Sequence, residues 1–298
     1  MRGFVRYNSR DDRGALAWLD REVAAEVEVI LGDLRDAESV LAALKGVDLV
    51  FHLGAQIAIP YSYVNPRDFV ETNVIGTLNV AQAALASSAE RVVHTSTSEV
   101  YGTAQFVPIT ENHPLEAQSP YSASKIGADK LMDSFHRSYE LPVTVLRPFN
   151  TYGPFQSARA VIPTIVTQAL SGETLKLGSL EPRRDLTFVS DTAQGFVAAA
   201  QAPDALGKTL QLGTGSDVSV REIVDRVAGL LGKGLDVEVD EQRIRPEASE
   251  VQQLLSSPER MRELTAWEPE VDLDDGLSRT IAWIEAHLDR YRVDDYVR

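Results

Sequence analysis

The sequence predicts an α/β fold with a doubly wound parallel sheet and a smaller C-terminal lobe. Apolar runs of strand length alternate with helix-like segments through the first half of the chain. Strands that alternate with helices form parallel sheets covered on both faces, and right-handed crossovers make such sheets doubly wound. The chain has 298 residues, enough for one large domain or two lobes that share a core.

The predicted elements follow this pattern in order. In the first half we predict strands at residues 3–8, 27–33, 48–55, 91–96 and 141–148. The helices predicted between them lie at about 36–45, 66–87 and 121–139. After residue 150 a Gly- and Pro-punctuated loop leads into a smaller lobe, with helices near 160–171, 190–202, 219–232 and 272–291 and a strand at 208–213.

Composition narrows the classes of function. The formal net charge is -15, so the general surface repels nucleic acid and anionic membranes. There is no cysteine, and five scattered histidines show no metal-ligand spacing, so we predict neither disulfides nor a metal site. No apolar run reaches membrane-spanning length, and the first residues lack the apolar core of a signal peptide. We therefore expect a cytoplasmic protein.

Two stretches place reactive side chains at the predicted strand ends. HTSTSEVYG (94–102) leaves one strand through hydroxyl residues and a glutamate, and YSASK (121–125) opens the next helix. Tyr121 and Lys125 share a helix face, where an ammonium would lower the pKa of a phenol so that it can remove a hydroxyl proton. With Thr97 as hydroxyl donor, this set can oxidise an alcohol by hydride transfer to a nicotinamide. Taken alone, the tyrosine–lysine spacing also fits an ordinary pair of surface neighbours.

Eight segments together resemble the extended short-chain dehydrogenases/reductases of the NAD-dependent epimerase/dehydratase family, which act on nucleotide sugars. They are GDLRD (32–36), HLGA (52–55), ETNVIGTLNV (71–80), STSEVYG (96–102), PYSASK (120–125), RPFNTYGP (147–154), RRDLTFVSD (183–191) and RPEASE (245–250). HLGAQIAIPYSYVNP with TSTSEVYGTAQFVPITE is most similar to LegB-type nucleotide-sugar 4,6-dehydratases.

The resemblance implies a Rossmann-like fold in two parts. Residues 1–150, with about 186–216, would form the dinucleotide-binding domain, and 151–185 with 217–298 the sugar-nucleotide-binding lobe. The implied reaction converts an NDP-hexose, UDP- or GDP-N-acetylglucosamine, to its 4-keto-6-deoxy derivative. Helices 66–87 and 121–139 resemble the pair that forms a dimer interface in this family, so we expect a homodimer.

A dehydratase must remove the C5 proton and expel the C6 hydroxyl as water, in addition to oxidising C4. Glu99, two residues after Thr97, offers the extra base. Many dehydratases of the family carry Asp-Glu after the threonine, whereas this chain has Ser98-Glu99. Either Glu99 serves both steps or a water held by Ser98 protonates the leaving hydroxyl. The alternative functions are a 4-epimerase or a UDP-glucuronate decarboxylase, and, in another class, a non-catalytic sugar-nucleotide-binding protein.

The cofactor contacts follow from the same resemblance. The turn after the first strand carries groups that could hold a 2′-phosphate, so we expect NADP rather than NAD. These groups are Arg6, Asn8, Ser9 and Arg10. The other implied cofactor contacts are Asp33 and Leu34 at the adenine, the backbone of Leu53, Gly54 and Ala55 along the nicotinamide half, and Tyr121 with Lys125. Asp33 could instead cap the following helix.

Substrate contacts are also implied by motif. Asn150 resembles the residue on the diphosphate side, and Arg184 and Arg245 resemble the arginines that clamp the diphosphate. Arg159, with Val161 and Ile162, would line the same pocket.

One family feature is missing from the sequence. Members begin with a strand, a glycine-rich turn and a helix that cradle the cofactor pyrophosphate, whereas the strand at 3–8 resembles their second strand. We expect that roughly 25–30 residues are absent, leaving a gap in the sheet between the strands at 3–8 and 48–53. Our hypothesis is that Met1 is an internal start of a longer reading frame; the alternative is a shortened protein that has lost activity.

Overall fold

The computed structural model describes residues 1–9, 12–244 and 250–291. Its first half alternates strands and helices as predicted. The strands are β1 (Arg2–Arg6), β2 (Glu28–Gly32), β3 (Leu49–His52), β4 (Arg91–Thr95), β5 (Val143–Pro148) and β6 (Asn150–Tyr152). The helices are α1 (Arg21–Ala25), α2 (Ala37–Leu44), α3 (Ile59–Val64), α4 (Pro66–Phe69), α5 (Gly76–Ala86) and α6 (Pro120–Tyr139). A π-helical segment, Val70–Ile75, joins α4 to α5, so that the predicted helix at 66–87 is continuous.

The second half adds short strands around four longer helices and one short one. Its strands are β7 (Thr174–Leu177), β8 (Arg183–Phe188), β9 (Thr209–Leu212), β10 (Asp217–Ser219), β11 (Asp236–Val239) and β12 (Gln253–Leu254). Its helices are α7 (Val161–Ser171), α8 (Val189–Gln201), α9 (Val220–Leu231), α10 (Glu259–Thr265) and α11 (Leu273–Ala286). No helix among the residues described above is long and apolar enough to cross a membrane.

The central parallel sheet is split in two. Strands β3, β4, β5 and β9 pair in that order, all parallel, while β1 and β2 form a separate parallel pair. A cavity of about 1110 Å³ is lined by residues of both β1 and β3. On β3 the apolar side chains of Leu49 and Phe51 are 41% and 37% exposed. The predicted gap is thereby confirmed within the described part of the chain.

Helices cover both faces of the four-stranded sheet, which confirms the doubly wound fold. On one face α2, α5 and α6 bury a core around Val40, Val80 and Met132. On the other face α8 and α10 bury a second core around Phe196 and Met261. Continuous apolar strands between two helical layers are what a parallel sheet requires.

The C-terminal lobe has its own core. Helices α7, α9 and α11 pack with the β7–β11 pair around side chains such as Ile165, Leu175 and Val227. Helix α10 lies within the range predicted for this lobe, yet it contacts α8 and β9 of the first domain. The exact division of the chain into two domains stays a prediction.

A buried carboxylate on β8 links that strand to the loops that follow β9 and β12. Asp185 on β8 is fully buried and accepts hydrogen bonds from the backbone and hydroxyl of Thr214 and from the backbone of Gly215. It also accepts from the backbone and hydroxyl of Ser256. The carboxylate thus accepts five hydrogen bonds from two loops. These hydrogen bonds offset the cost of burying its charge.

Replacing Asp185 should destabilise the whole fold. In Asp185→Asn the amide NH₂ faces donors that the carboxylate had accepted, so buried N–H groups lose their partner. We expect the free energy of unfolding to fall by about 3 kcal/mol, measured by urea denaturation. Asp204→Asn, at an exposed position, is the matched control and should change little. Equal stability of the two variants would contradict this account of Asp185.

Candidate active site

The stretch that follows β4 forms a short turn at the carboxyl end of the sheet. Thr97 is extended, and its hydroxyl accepts from the backbone N–H of Glu99 at 3.2 Å, which caps the 3-10 helix Ser98–Tyr101. Ser98 is buried, whereas Thr97 and Glu99 are half-buried. The hydroxyl of Thr97 therefore has a structural role in the turn in addition to any role toward a ligand.

Helix α6 begins beside this turn. Ser119 caps it, and its side chain and that of Ser122 exchange hydrogen bonds with each other's backbone N–H in a capping box. Pro120 occupies the first turn, where its missing N–H costs nothing. The helix start is thus fixed, and Tyr121 and Lys125 both lie on its buried face, 7% and 3% exposed.

Thr97 and Tyr121 meet as the sequence predicted. Burial raises the pKa of the phenol most, a hydrogen bond between the two side chains lowers it less, and the charges of Glu99 and Asp129 raise it further. The net result is a pKa of Tyr121 well above its ordinary value. Phe69 packs edge-on against the ring, with centroids 6.2 Å apart, and helps to exclude water.

The predicted effect of Lys125 on the phenol stays a prediction, because the ammonium has another partner in this structure. The ammonium donates to the carbonyl oxygen of Thr95 at 2.5 Å, so it is engaged with strand β4. Burial lowers the pKa of Lys125 to about 8, although the charge of Asp129 raises it. The spacing correctly predicted that Tyr121 and Lys125 are neighbours on the helix. It could not reveal that the carbonyl oxygen of Thr95 competes for the ammonium.

Most of the predicted cofactor residues surround the cavity between β1 and β3. Its lining includes Arg6, Asp33, Leu34, Leu53, Gly54 and Ala55. Among these, a Cβ atom on Gly54 would lie 2.7 Å from Leu34, so the glycine allows the two segments to touch. The structure therefore brings together residues from three separate strand ends. Asn8 and Ser9 lie outside this lining, and Arg10 lies outside the described residues.

Asp33 does not cap the next helix. Its carboxylate pairs with Arg35 at 2.6 Å, and the hydrogen bond from that guanidinium lowers the pKa of Asp33 despite partial burial. The helix cap of α2 is Asp36, whose side chain accepts from the N–H of Glu38. The alternative role for Asp33 was therefore wrong.

The predicted substrate residues occupy several different environments. The Asn150 side-chain oxygen is buried and has no hydrogen-bond partner within the described residues. Arg184 lies 3.5 Å from Glu250, and Arg159 is exposed and bonds Ser157. Val161 is half-buried and Ile162 is fully buried in the lobe core. Arg245 lies outside the described residues.

Two buried residues near the site were missed from the sequence. Asn73 accepts from the N–H of Gln56 at 2.7 Å and donates to Ser124 of α6 at 2.9 Å, and so fastens the loop after β3 to that helix. Asp129 lies below Lys125 and contacts β4 and β5. Its spacing was a usable signal, because positions 121, 125 and 129 fall on one helix face.

No cluster of histidine, aspartate or glutamate side chains that could hold a metal ion occurs in the described ranges. A doubly wound sheet, with a threonine, a tyrosine and a lysine assembled beyond a strand end, is the arrangement expected of a nicotinamide-dependent enzyme of the epimerase/dehydratase class.

Comparison with known proteins gives the family. The family model described as GDP-mannose 4,6 dehydratase matches residues 1–280, and the chain belongs to this family. It is 34% identical over 258 residues to a dTDP-glucose 4,6-dehydratase of Streptomyces antibioticus, covering 86% of this chain and 76% of the relative. It is 32% identical over 267 residues to a UDP-glucose 4-epimerase of Mycolicibacterium smegmatis, covering 87% of this chain and 83% of the relative.

Solved structures agree with these relatives. A double mutant of the dTDP-glucose 4,6-dehydratase DesIV from Streptomyces venezuelae, with NAD bound, superposes with a TM-score of 0.80 at 30% identity. The match covers 91% of this chain and 85% of that chain. The predicted family and fold are therefore confirmed, with named relatives that include both dehydratases and epimerases.

Tyr121 should stay un-ionised where exposed phenols titrate. We expect the phenolate absorbance of the native chain and of Tyr121→Phe to be the same between about pH 9 and 11. Because the unfolded chain releases this proton near pH 10 and the folded chain retains it, Tyr121 contributes stability that is lost as the pH rises above about 10. The same pair unfolded in urea is the control and should differ by one phenol. A native difference across this pH range would contradict the assignment.

Proposed function

We propose that this chain is a nucleotide-sugar 4,6-dehydratase that uses a nicotinamide dinucleotide. The observation that carries the proposal is the position of Glu99. Its carboxylate lies close enough to Tyr121 to raise the pKa of the phenol, and both flank Thr97. An epimerase needs only the oxidising group, whereas elimination of water needs a second base at the neighbouring carbon.

Each residue of the site has a step in the proposed reaction. Tyr121 takes the proton of the C4 hydroxyl, and Thr97 holds the same oxygen by a hydrogen bond. Lys125 turns its ammonium from Thr95 toward the phenol and so stabilises the phenolate. Glu99 removes the C5 proton, which the C4 ketone has acidified, and the C6 hydroxyl leaves as water. The leaving oxygen is protonated by Glu99 or by a water at Ser98.

The residues present fit the two ends of a dinucleotide. Asp33 and Leu34 would contact the adenine, and the backbone from Leu53 to Ala55 would run along the nicotinamide half; all five residues line the cavity. Because Gly54 has no side chain, its backbone can lie close to Leu34. When bound, the nicotinamide would accept hydride from C4 and return it to C6, so the cofactor is not consumed.

The choice between NADP and NAD is part of the proposal. Our sequence-based preference for NADP depends on Arg6, which lines the cavity and is exposed, and on Arg10. The DesIV relative, in contrast, was solved with NAD. Both dinucleotides are therefore compared in the experiment below.

The proposed substrate is UDP- or GDP-N-acetylglucosamine. A buried Asn150 oxygen without a partner in the described structure supports a polar ligand in this region. Arg159 is exposed at the same edge. Arginines would be needed to hold a diphosphate against a net charge of -15.

Two alternatives have specific support. A 4-epimerase is favoured by the relative from Mycolicibacterium smegmatis, which is named UDP-glucose 4-epimerase. A non-catalytic sugar-nucleotide-binding protein is favoured by the split between β1 and β3, which divides the lining of the cavity between two separate sheets. A homodimer through α4, α5 and α6 stays a prediction; exposed Val70 and Ile75, on the π-helical segment between α4 and α5, are consistent with it.

Product mass and configuration separate these functions. The purified chain is incubated with UDP-N-acetylglucosamine, GDP-N-acetylglucosamine, dTDP-glucose, UDP-glucose or UDP-glucuronate, each with NAD and with NADP. We expect loss of one water from an N-acetylglucosamine nucleotide. An epimer of unchanged mass, resolved by NMR, would support the 4-epimerase, and loss of carbon dioxide from UDP-glucuronate would support the decarboxylase. Binding of a sugar nucleotide without turnover would contradict catalysis altogether.

Glu99→Gln should separate oxidation from elimination. The amide cannot accept the C5 proton, so we expect loss of water to slow by about 10²- to 10⁴-fold. Oxidation at C4 should continue, observed as nicotinamide reduction by absorbance in a single turnover. Glu116→Gln is the matched control, because Glu116 is exposed and lies on the loop that bonds Val100. Normal dehydration by Glu99→Gln would show that another group is the base.

A further inference from the structure

A buried carboxylate below the active site connects the catalytic helix to two strands. Asp129 on α6 is 3% exposed and accepts from the Ser96 hydroxyl at 2.7 Å and from His94 Nε2 at 3.1 Å, both on or just after β4. It also accepts from the Arg147 guanidinium on β5 at 3.0 and 3.2 Å. Three donors on two strands therefore converge on one side chain of the helix.

The strand and the helix are joined at consecutive positions. His94 and Ser96 donate to Asp129, and the carbonyl oxygen of Thr95, between them, accepts from Lys125. The next residue along the chain is Thr97. Tyr121 stands one helical turn before Lys125, so these bonds set the register between the hydroxyl and the phenol.

The charges of neighbouring side chains also stabilise the carboxylate of Asp129. Arg147 extends from Asp129 to the hydroxyl of Tyr101 at 3.0 Å, and that hydroxyl also accepts from Gln211 at 2.7 Å. Burial opposes ionisation of Asp129, but the hydrogen bond from His94 and the charges of Arg147 and Lys125 lower its pKa to about 2. The carboxylate is therefore an anion beside Lys125 at any pH where the enzyme would work.

We propose that Asp129 is a positioning residue, which holds α6 on β4 so that Tyr121 and Lys125 face Thr97, and which keeps the ammonium of Lys125 charged. The kinetic part of this proposal rests on the proposed dehydratase function. The electrostatic part concerns the charge of Lys125 and can be tested without any substrate. Asp129 makes no contact with a reacting group in this account.

Among the groups around Lys125, Asp129 is the one whose charge favours the protonated ammonium. Burial lowers the pKa of Lys125, and the charge of Asp129 is what raises it. The other titratable groups on the packed elements are His52 on β3, His94 on β4, Arg147 on β5, Tyr121 on α6 and Glu99 in the turn. Burial lowers the pKa of both His52 and His94, so both are neutral rings there.

The first measurement is the titration of Lys125 by NMR in a chain labelled at lysine. The chain has six lysines, so each signal can be assigned by substitution. In Asp129→Asn we expect the pKa of Lys125 to fall below its value of about 8, because the neighbouring anion is gone. Asp133→Asn, one turn further along the same helix and paired with exposed Arg137, is the control and should leave Lys125 unchanged. An unchanged Lys125 in a folded Asp129→Asn would overturn the electrostatic part.

The second measurement is the pH profile of C4 oxidation. Asp129→Asn should lower kcat by up to about 100-fold, which is what a misplacement of about 1 Å costs, with KM unchanged. The profile should shift to lower pH with Lys125, whereas Asp133→Asn should match the parent chain. A profile that stays in place would show a merely structural role.

Ser96→Ala tests the positioning part separately and serves if Asp129→Asn does not fold. It removes one strand-to-helix bond and leaves both charges, so kcat should fall while the pKa of Lys125 stays. Full activity in Ser96→Ala would overturn the positioning part. If the parent chain turns over none of the sugars tested, the proposed function fails, and the lysine titration still decides whether Asp129 controls Lys125.

Discussion

The contact between α6 and the end of β4 is the interaction on which the active site depends. Tyr121 and Lys125 lie on a helix, and Thr97 lies on a loop, so their geometry requires a rigid connection between the two. That connection is a set of buried bonds from His94, Thr95 and Ser96 to the helix. Buried, satisfied polar contacts of this kind fix one arrangement, because breaking any of them leaves an unpaired group in an apolar core.

The proposed reaction requires a change at both the phenol and the ammonium. The phenol of Tyr121 is held protonated by burial, and Lys125 is bonded to a backbone carbonyl. To accept the proton of a C4 hydroxyl, Tyr121 must first lose its own proton, and an ammonium turned toward the phenol would stabilise the phenolate. The split of the sheet leaves a cavity lined by residues of β1 and β3, and neither Tyr121 nor Lys125 of α6 belongs to that lining.

The sequence predicted most of the fold, whereas the roles of the site residues stay predictions. Strand and helix positions followed from hydrophobic periodicity, and the gap between the strands at 3–8 and 48–53 followed from the resemblance to the family. It failed where a side chain had two possible partners. Spacing placed Lys125 beside Tyr121 but could not reveal the carbonyl of Thr95, and Asp33 met Arg35 rather than a helix end. Asp129 was missed because a polar residue on a buried face has a role only through strands that are distant in sequence.

The most direct test of the account is transfer of a hydrogen isotope within the substrate. UDP-N-acetylglucosamine with deuterium at C4 is converted by the chain with cofactor, and the product is examined by NMR and mass spectrometry. A 4,6-dehydratase predicts deuterium in the C6 methyl group of a product that has lost one water. Deuterium found again at C4 of an epimerised sugar would contradict the account and identify an epimerase.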